Sequence, residues 1–329
     1  MKKIFVTGGS GYIGSVVVKR LVERGCQVTV FDNLERGHRC NVDSRAKLIV
    51  GDLRNVADIN SAMEVEQPEA VMHFAAYALV GESMANPMMY FKNNVGGGVN
   101  LLDAMKRVGC NRIIFSSTCA TYGQPDCLPI EETMPQRPTN PYGQSKLIFE
   151  QMCSWFSSSV SDYRLEPTFL RYFNACGAVG NLGEDHEPET HIIPNVLKVA
   201  LGQKERVEVF GNDYPTKDGT CVRDYVHLED LCSAHILALE KGKTGAYNLG
   251  TGKGISVMEI VEACRKVTGH SIPVKFSPRR PGDPAALYAS GAKARAELGW
   301  NPTHSDVMTI VRDAWSFHSA HPHGLSDLS

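Results

Sequence analysis

Long apolar runs are missing from this sequence. None approaches the roughly 20 residues that a membrane-spanning helix requires, so no membrane segment is expected. An excess of one charge is missing too. With 34 Lys and Arg against 36 Asp and Glu, the formal net charge is −2. That balance gives no electrostatic reason to expect nucleic acid or a membrane surface as a partner. No two of the ten cysteines stand as Cys-x-x-Cys, which argues against thiolate zinc ligation and against a disulfide framework. Reduced, structural thiols and a cytoplasmic location are expected. The histidines show no metal-ligand spacing, so no metal is expected, and His318, His321 and His323 fall in a polar tail where solvation is expected. The apolar start at residues 4–7 ends at a glycine loop, too soon for a secretory leader. Internal repeats and low-complexity linkers are also lacking. For 329 residues this leaves two lobes, or one large core with an appended lobe.

What is present is an alternation of strand and helix patterns. Residues 3–7, 27–31, 48–50, 70–74, 112–116 and 166–172 read as strands, and residues 15–24, 94–107 and 142–157 as helices. This predicts an α/β fold: a doubly wound parallel sheet of Rossmann type. After about residue 175, Gly, Pro, Asn, Asp and His become frequent, and a smaller α/β lobe is expected. It holds helices at 195–201, 230–240 and 256–268, a strand at 206–210 and a loop at 279–284. Ser256 with Glu259 has capping-box spacing. The division predicted is 1–175 and 176–329, with about 225–245 returning to the first lobe.

Gly8, Gly11 and Gly14 follow a strand and open a helix. Gly8 would permit the tight turn, Gly11 the approach of a pyrophosphate to the helix N-terminus, and Gly14 close helix–sheet packing. The spacing differs by one residue from Gly-x-Gly-x-x-Gly, and a ligand-free glycine turn is the alternative. Asp32 ends the second strand, where a carboxylate accepts from an adenosine ribose and repels a 2′-phosphate; this favours NAD over NADP, with Arg36 nearby as a counter-indication. Asp52 either reaches an adenine or caps a helix. His73 precedes Phe74, Ala75 and Ala76 at a strand's carboxyl end and reads as a core histidine bonded to a backbone carbonyl. Ala75 and Ala76 leave room for a cofactor against the backbone, and Asn93 would hold its helix near that loop. Ser116, Ser117 and Thr118 end a later strand. Ser116 and Ser117 either meet ligand or satisfy the loop backbone, and Thr118 is assigned to chemistry. Tyr142 and Lys146 are four residues apart on one helical face. A phenol serves as a base near neutrality only if positive charge stabilises the phenolate, which Lys146 and an oxidised nicotinamide can supply.

The loop Thr7-Gly8-Gly9-Ser10-Gly11-Tyr12-Ile13-Gly14 with Thr118, Tyr142 and Lys146 resembles the extended short-chain dehydrogenase/reductase family. Five further stretches bring the likeness to the members that invert carbon 4 of UDP-hexoses: 73–83, 170–174, 210–220, 222–227 and 279–283. The resemblance implies a tightly held NAD, contacted by Gly8, Gly11, Tyr12, Ile13, Gly14, Asp32, Asn33, Arg36, Asp52, Leu53, Phe74, Ala75, Ala76, Asn93, Ser116, Tyr142, Lys146, Tyr172 and Phe173. It implies UDP-glucose and UDP-galactose as substrates. Tyr142 would be the acid/base, Lys146 its activator and Thr118 the partner of the 4-oxygen. Asn174, His191, Ile192, Phe210, Arg223, Arg280, Asp283 and Leu287 would hold the UDP-sugar. Arg223 beside Asp224 is alternatively a surface ion pair, and Phe210 plain core.

Four departures from the family pattern bear on this. Thr118 stands where many members have serine, and the hydroxyl is kept. Ala78 replaces a lysine of some members, which predicts weaker cofactor retention. Gly96-Gly97-Gly98 predicts a loosened helix. Leu287 replaces a bulkier tyrosine of some members, which would admit UDP-N-acetylhexosamines. Alternatives to the UDP-glucose reaction are 4-epimerisation of UDP-N-acetylhexosamine, UDP-xylose/arabinose or UDP-glucuronate. A non-catalytic NAD-binding regulator is a further alternative from another class. A dehydratase is disfavoured, because Cys119-Ala120 stands where those enzymes place Asp-Glu. The family also implies a homodimer joined through helices near 94–107 and 142–157.

Overall fold

The computed structural model describes residues 2–158, 162–280 and 283–325. Pro281 and Gly282 of the predicted Arg- and Pro-rich loop lie outside the described residues. Seven strands form the main sheet. They are β1 (Lys3–Thr7), β2 (Gln27–Asp32), β3 (Lys47–Val50), β4 (Ala70–His73), β5 (Arg112–Thr118), β6 (Glu166–Tyr172) and the edge strand Gly245–Asn248. The order is Gly245–Asn248, β6, β5, β4, β1, β2, β3. Every neighbouring pair is parallel. The chain builds outward from β1 to β3, then resumes on the other side at β4. That reversal opens a ligand crevice at the carboxyl ends of β1 and β4. β4 is buried along its whole length, as is β1 after its first residue. Both faces of the sheet are covered, so these strands read as apolar runs and not as alternation.

Helix α1 (Tyr12–Glu23) and the helix Leu228–Lys241 cover one face, where Val16, Val17 and Leu21 share a core with Leu231 and Ile236. The helices Val56–Glu66, Gly97–Arg107 and Pro141–Ser157 cover the other, around Ile59, Met63, Leu101, Met105 and Phe149. A third core gathers Ile193, Leu197, Ile260, Val261, Ile310 and Val311. These come from the helices Ile192–Ala200, Val257–Thr268 and Val307–Ala320. The parallel pair Val207–Phe210 and Val274–Ser277 adds Val207 and Val209 to this core and packs Val274 against it.

Several boundaries differ from expectation for local reasons. α1 begins at Tyr12 because Gly11, with extended backbone, is already its N-cap. β5 runs two residues further, to Thr118. The helix expected at 195 starts at Ile192. The helix Val307–Ala320 was not anticipated, although its signals are present. Asp306 accepts from the backbone N–H of Met308 and Thr309, and Ile310, Val311, Ala314 and Phe317 recur at helical spacing. This alters the polar-tail expectation. His318 is half-buried on that helix, and the ring of His321 stacks on Phe317 at 4.8 Å. Only His323 of the three is exposed. The glycine triplet lies in continuous helical backbone. A π turn at Phe91–Gly96 leads into Gly97–Arg107, and a Cβ on Gly98 would meet the Phe149 ring at 2.5 Å. Gly98 is what lets the helix Pro141–Ser157 come so near.

Candidate active site

One continuous cleft of about 1790 Å³ runs from the glycine loop across the carboxyl edge of the sheet to the third core. All of the residues that the resemblance assigns to NAD or the UDP-sugar line it, whereas His73 and Ser117 do not. Such a volume exceeds the roughly 300–1,000 Å³ of an ordinary small-molecule site, so it has room for two ligands.

At the glycine end, Gly8 has φ +73°, and a Cβ there would strike the Ala75 backbone nitrogen at 2.5 Å. A Cβ on Gly14 would meet the Gly8 carbonyl oxygen at 2.2 Å, so Gly14 packs on the loop itself and not on the sheet. Gly11 is different. Its nearest protein neighbour to an added Cβ is the Gly8 oxygen at 3.4 Å, an ordinary contact. Packing does not explain that glycine, whereas close approach of an outside group does. α1 starts with no side-chain cap. Its first N–H groups and dipole are available to an anion. Asp32 accepts from the backbone N–H of Ser10 at 3.0 Å and of Leu34 at 2.9 Å, which fixes the carboxylate at the end of β2. Arg36 donates to Glu82 at 2.8 Å and to the Glu187 carbonyl at 3.1 Å, and lies over the Tyr77 ring. Both of its terminal nitrogens are thus taken by protein oxygens, which weakens the counter-indication to NAD.

In the middle of the cleft, Asn140 caps the helix Pro141–Ser157 by accepting from Gly143 N–H at 2.8 Å, with Pro141 at the first helical position. This puts Tyr142 in the first turn and Lys146 one turn further in. Lys146 Nζ donates to the Ser116 carbonyl at 2.8 Å and sits 4.7 Å from the centre of the Phe115 ring. Burial pulls its pKa down to about 7, against the opposing charge of Glu150. Burial pushes Tyr142 up to about 12; a hydrogen bond with Thr118 works the other way and Cys119 adds to the rise. The protein groups alone thus hold the phenol protonated. The expected activation by Lys146 needs further positive charge in the cleft, of the kind an oxidised nicotinamide carries. Thr118 also accepts from Ala120 N–H at 3.1 Å, which fixes its hydroxyl at the end of β5.

Behind this centre, Arg171 and Glu150 form a buried ion pair, with Arg171 Nε donating at 3.0 Å. Ser117 and Tyr122 complete the network. Sequence reasoning missed this pair; the only hint was two opposite charges in otherwise apolar elements.

At the far end, Arg223 donates to Asp283 at 2.6 Å, and Arg280 to the same carboxylate at 2.9 Å. Two guanidiniums on one carboxylate leave net positive charge facing the cleft. The Arg280 guanidinium lies 5.2 Å from the centre of the Phe210 ring, and Phe210 is 36% exposed, so Phe210 is not plain core. Asn174 donates to the Asp224 carbonyl at 3.0 Å. Ile192 opens the helix Ile192–Ala200, and Leu287 is half-buried against the cluster of Cys119, Tyr122, Ile130 and Ala289 and lines the cleft.

Several local expectations are corrected. Arg223 does not pair with Asp224, which is buried and accepts from Thr251 and from Ala289 N–H. Asp52 is not a helix cap. Asn55 caps Val56–Glu66, while Asp52 takes Arg54 and Asn33. The clamp expected of Asn93 is made by Asn94, which accepts from Tyr77 N–H at 2.9 Å and donates to the Tyr77 carbonyl and Ser145. His73 is a core histidine, but its Nδ1 partner is the Thr7 hydroxyl at 2.7 Å and not a carbonyl. Burial and the Lys146 charge pull its pKa down to about 3. The Ser116 hydroxyl meets Tyr172 and that of Ser117 donates to Glu150, so neither serves loop backbone.

The structure also gathers Glu184, His186, Glu189 and His191 beside the cleft, a grouping the sequence reading did not expect. The Nδ1 of His191 lies 2.7 Å from Glu184 and 3.0 Å from Glu189. The Glu184 charge raises the His191 pKa against the effect of burial. The ring of His191 is therefore tied to this cluster. The spacing Glu-x-His-x-x-Glu-x-His was the available signal.

Residues 4–250 match the NAD dependent epimerase/dehydratase family, and the chain belongs to that family. Its relatives there are UDP-glucose 4-epimerases. That of Lacticaseibacillus casei is 50% identical, with 98% of this chain and 99% of that protein aligned. The crystal structure of the Brucella ovis UDP-glucose 4-epimerase in complex with NAD is 47% identical, with a TM-score of 0.92 over 96% of this chain and 98% of that one. The Bifidobacterium longum enzyme in complex with NAD+ and UDP is 38% identical, with a TM-score of 0.92 over 98% of this chain and all of that one.

Proposed function

We propose that this chain is an NAD-dependent isomerase that interconverts UDP-glucose and UDP-galactose by inverting carbon 4 through a 4-keto sugar. One observation carries it. Tyr142, Thr118 and Lys146 stand midway in a single cleft, with an anion-binding glycine loop and Asp32 at one end and Arg223 with Arg280 at the other.

The residues present fit NAD. Gly8, Gly11, Tyr12, Ile13 and Gly14 would hold the pyrophosphate, and Asp32, Asn33, Arg36, Asp52 and Leu53 the adenosine. Phe74, Ala75, Ala76, Asn93, Ser116, Lys146, Tyr172 and Phe173 would line the path to the nicotinamide. When bound, NAD supplies a reversible acceptor for the hydride of carbon 4. Tyr142 takes the proton of the 4-hydroxyl and later returns it, and Thr118 holds the 4-oxygen. Lys146 stabilises the phenolate. A firm hold on UDP and a loose hold on the hexose let the ketone present either face, so remote binding energy positions the reacting carbon.

Arg223 and Arg280 grip the diphosphate through charge-assisted bonds, with Asp283 as their spacer. Asn174, His191, Ile192, Phe210 and Leu287 shape the uridine and sugar pockets. Arg223→Ala is expected to raise KM for UDP-galactose about 10- to 100-fold, from a charged hydrogen bond of about 1.5–3 kcal/mol, with a smaller change in kcat. Steady-state kinetics check this; an unchanged KM removes Arg223 from the substrate site.

The helices Gly97–Arg107 and Pro141–Ser157 would form a two-fold dimer interface. Val99 and Trp155 on them are 49% and 76% exposed, as large apolar side chains left for a partner. Trp155→Glu is expected to convert a dimer into a monomer in sedimentation velocity, and a wild-type monomer contradicts the interface. A cytoplasmic location fits the buried free thiols Cys110, Cys153, Cys176, Cys232 and Cys264. Among the described residues, no helix is long and apolar enough to cross a membrane. The activity is tested by incubating the protein with UDP-galactose and following the anomeric proton signals of UDP-glucose. No product with NAD added would overturn the reading.

A further inference from the structure

We propose that Glu184, His186, Glu189 and His191 form a structural site for a divalent transition-metal ion, zinc by preference, that pins the segment 177–191 between the cofactor loop and the helix Ile192–Ala200.

The donor set is that of a metal site. One ligand atom from each of the four residues lies within 4.8 Å of the other three. The two imidazoles present the same atom, Nδ1, to the cluster. That of His191 is 2.7 Å from Glu184 and 3.0 Å from Glu189, and that of His186 is 3.3 Å from Glu184 and 3.9 Å from Glu189. A tetrahedral zinc with bonds of about 2.0–2.2 Å needs donor separations of about 3.4 Å, so small side-chain shifts suffice. Two carboxylates and two neutral imidazoles around a dication sum to zero charge. Those carboxylates are deeply buried, with side-chain exposures of 6% for Glu184 and 3% for Glu189. Burying two carboxylates together is costly without cationic compensation. Among the described residues, the ion pairs drawn for both are with these two histidines, and no Lys or Arg joins them. The His186 Nδ1 atom is itself buried with no well-formed hydrogen bond. A nitrogen lone pair and two carboxylates thus converge on one point.

The surroundings resemble a supporting shell. Asn195 Nδ2 donates to the Glu189 carbonyl at 3.2 Å and the His191 carbonyl at 2.8 Å, which locks the backbone between two ligands. The Tyr12 ring meets His186 edge-on at 6.1 Å, and its hydroxyl donates to the Gly177 carbonyl at 2.6 Å. Oxygen and imidazole donors suit zinc, and thiolates are not involved. Four protein ligands close the shell, so the ion holds structure and does not activate water. The site shares His191 with the proposed UDP-sugar pocket, while Glu184, His186 and Glu189 have no part in the proposed reaction.

Cobalt(II) reports it directly. After chelator treatment and desalting, the full-length protein is expected to bind one Co2+ per chain. Visible d–d bands of a four-coordinate site should appear without the near-ultraviolet thiolate band that surface cysteines such as Cys127 would give. Zn2+ should displace the cobalt and raise the thermal midpoint. His186→Ala and Glu189→Gln should each abolish the stoichiometric bands while NAD still binds. Glu189→Gln conserves size, so it keeps the test if the alanine variant fails to fold. No bands at one equivalent, a thiolate band, or bands that survive both substitutions would overturn the site.

Discussion

Tyr142→Phe is expected to lower kcat for UDP-galactose by about 10³-fold, the usual worth of a positioned acid/base group. The substitution removes one oxygen and leaves the ring, so the edge contact with Tyr90 at 6.5 Å survives. Binding of UDP and NAD should be unchanged, because the glycine loop and Arg223 lie at the two ends of the cleft. A loss in kcat with KM near the wild-type value is the signature of an interaction made in the transition state. A variant that keeps full turnover would assign the proton transfer to another group. One that keeps ligand responses in a protein with no wild-type turnover would favour the non-catalytic regulator.

Lys146→Met is the second large effect. A unit charge about 4 Å from the phenolate is worth up to about 4 kcal/mol at an effective dielectric of 20, so a fall of about 10²- to 10³-fold in kcat is expected. The pH profile should change with it. In the protein alone, Lys146 stands at about 7 and Tyr142 at about 12. Between those values the pair holds one proton. The forms with neutral lysine and phenol, or with ammonium and phenolate, differ only in where that proton sits. Positive charge from the cofactor favours the phenolate form and moves the acid limit lower. Wild-type kcat/KM should therefore be level above about pH 7 and fall on one proton at or below it. The methionine variant should lose that limb. Stability should follow the same residue. A lysine whose folded pKa lies below its unfolded value binds fewer protons when folded. Wild-type stability relative to Lys146→Met should then rise between about pH 7 and 10.5, by roughly 1.4 kcal/mol per unit of depression. Urea titrations at several pH values check the sign; a relative loss of stability over that window contradicts a buried, depressed lysine.

Much of the site was legible because its residues follow strands that announce themselves. Gly8, Asp32, Thr118 and Tyr172 each sit at the carboxyl end of a buried apolar run or just past it, and in an open parallel sheet that edge is where ligands bind. Tyr142 was legible through Lys146 four residues on, on the same helical face; the structure adds that Asn140 and Pro141 fix where that helix starts. What escaped was decided by tertiary contacts. Nothing local distinguishes Asn94 from Asn93; the π turn at Phe91–Gly96 decides which of them faces Tyr77. Asp52 carries the composition of an N-cap, and only the approach of Asn33 and Arg54 gives it another role. Gly98 looked like a weak point because the Phe149 ring that requires it lies 51 residues away in sequence. The Glu184, His186, Glu189 and His191 cluster is local, but it lies in a loop, where alternating glutamates and histidines follow no helix or strand period.

The central claim is that hydrogen leaves carbon 4 and returns to carbon 4 without meeting water. UDP-glucose carrying deuterium at carbon 4, converted in ordinary water and read by proton NMR of the UDP-galactose formed, tests it most directly. The account predicts that the product keeps its deuterium at carbon 4. Appearance of a solvent-derived proton there would show inversion by deprotonation and reprotonation at carbon, and would contradict it.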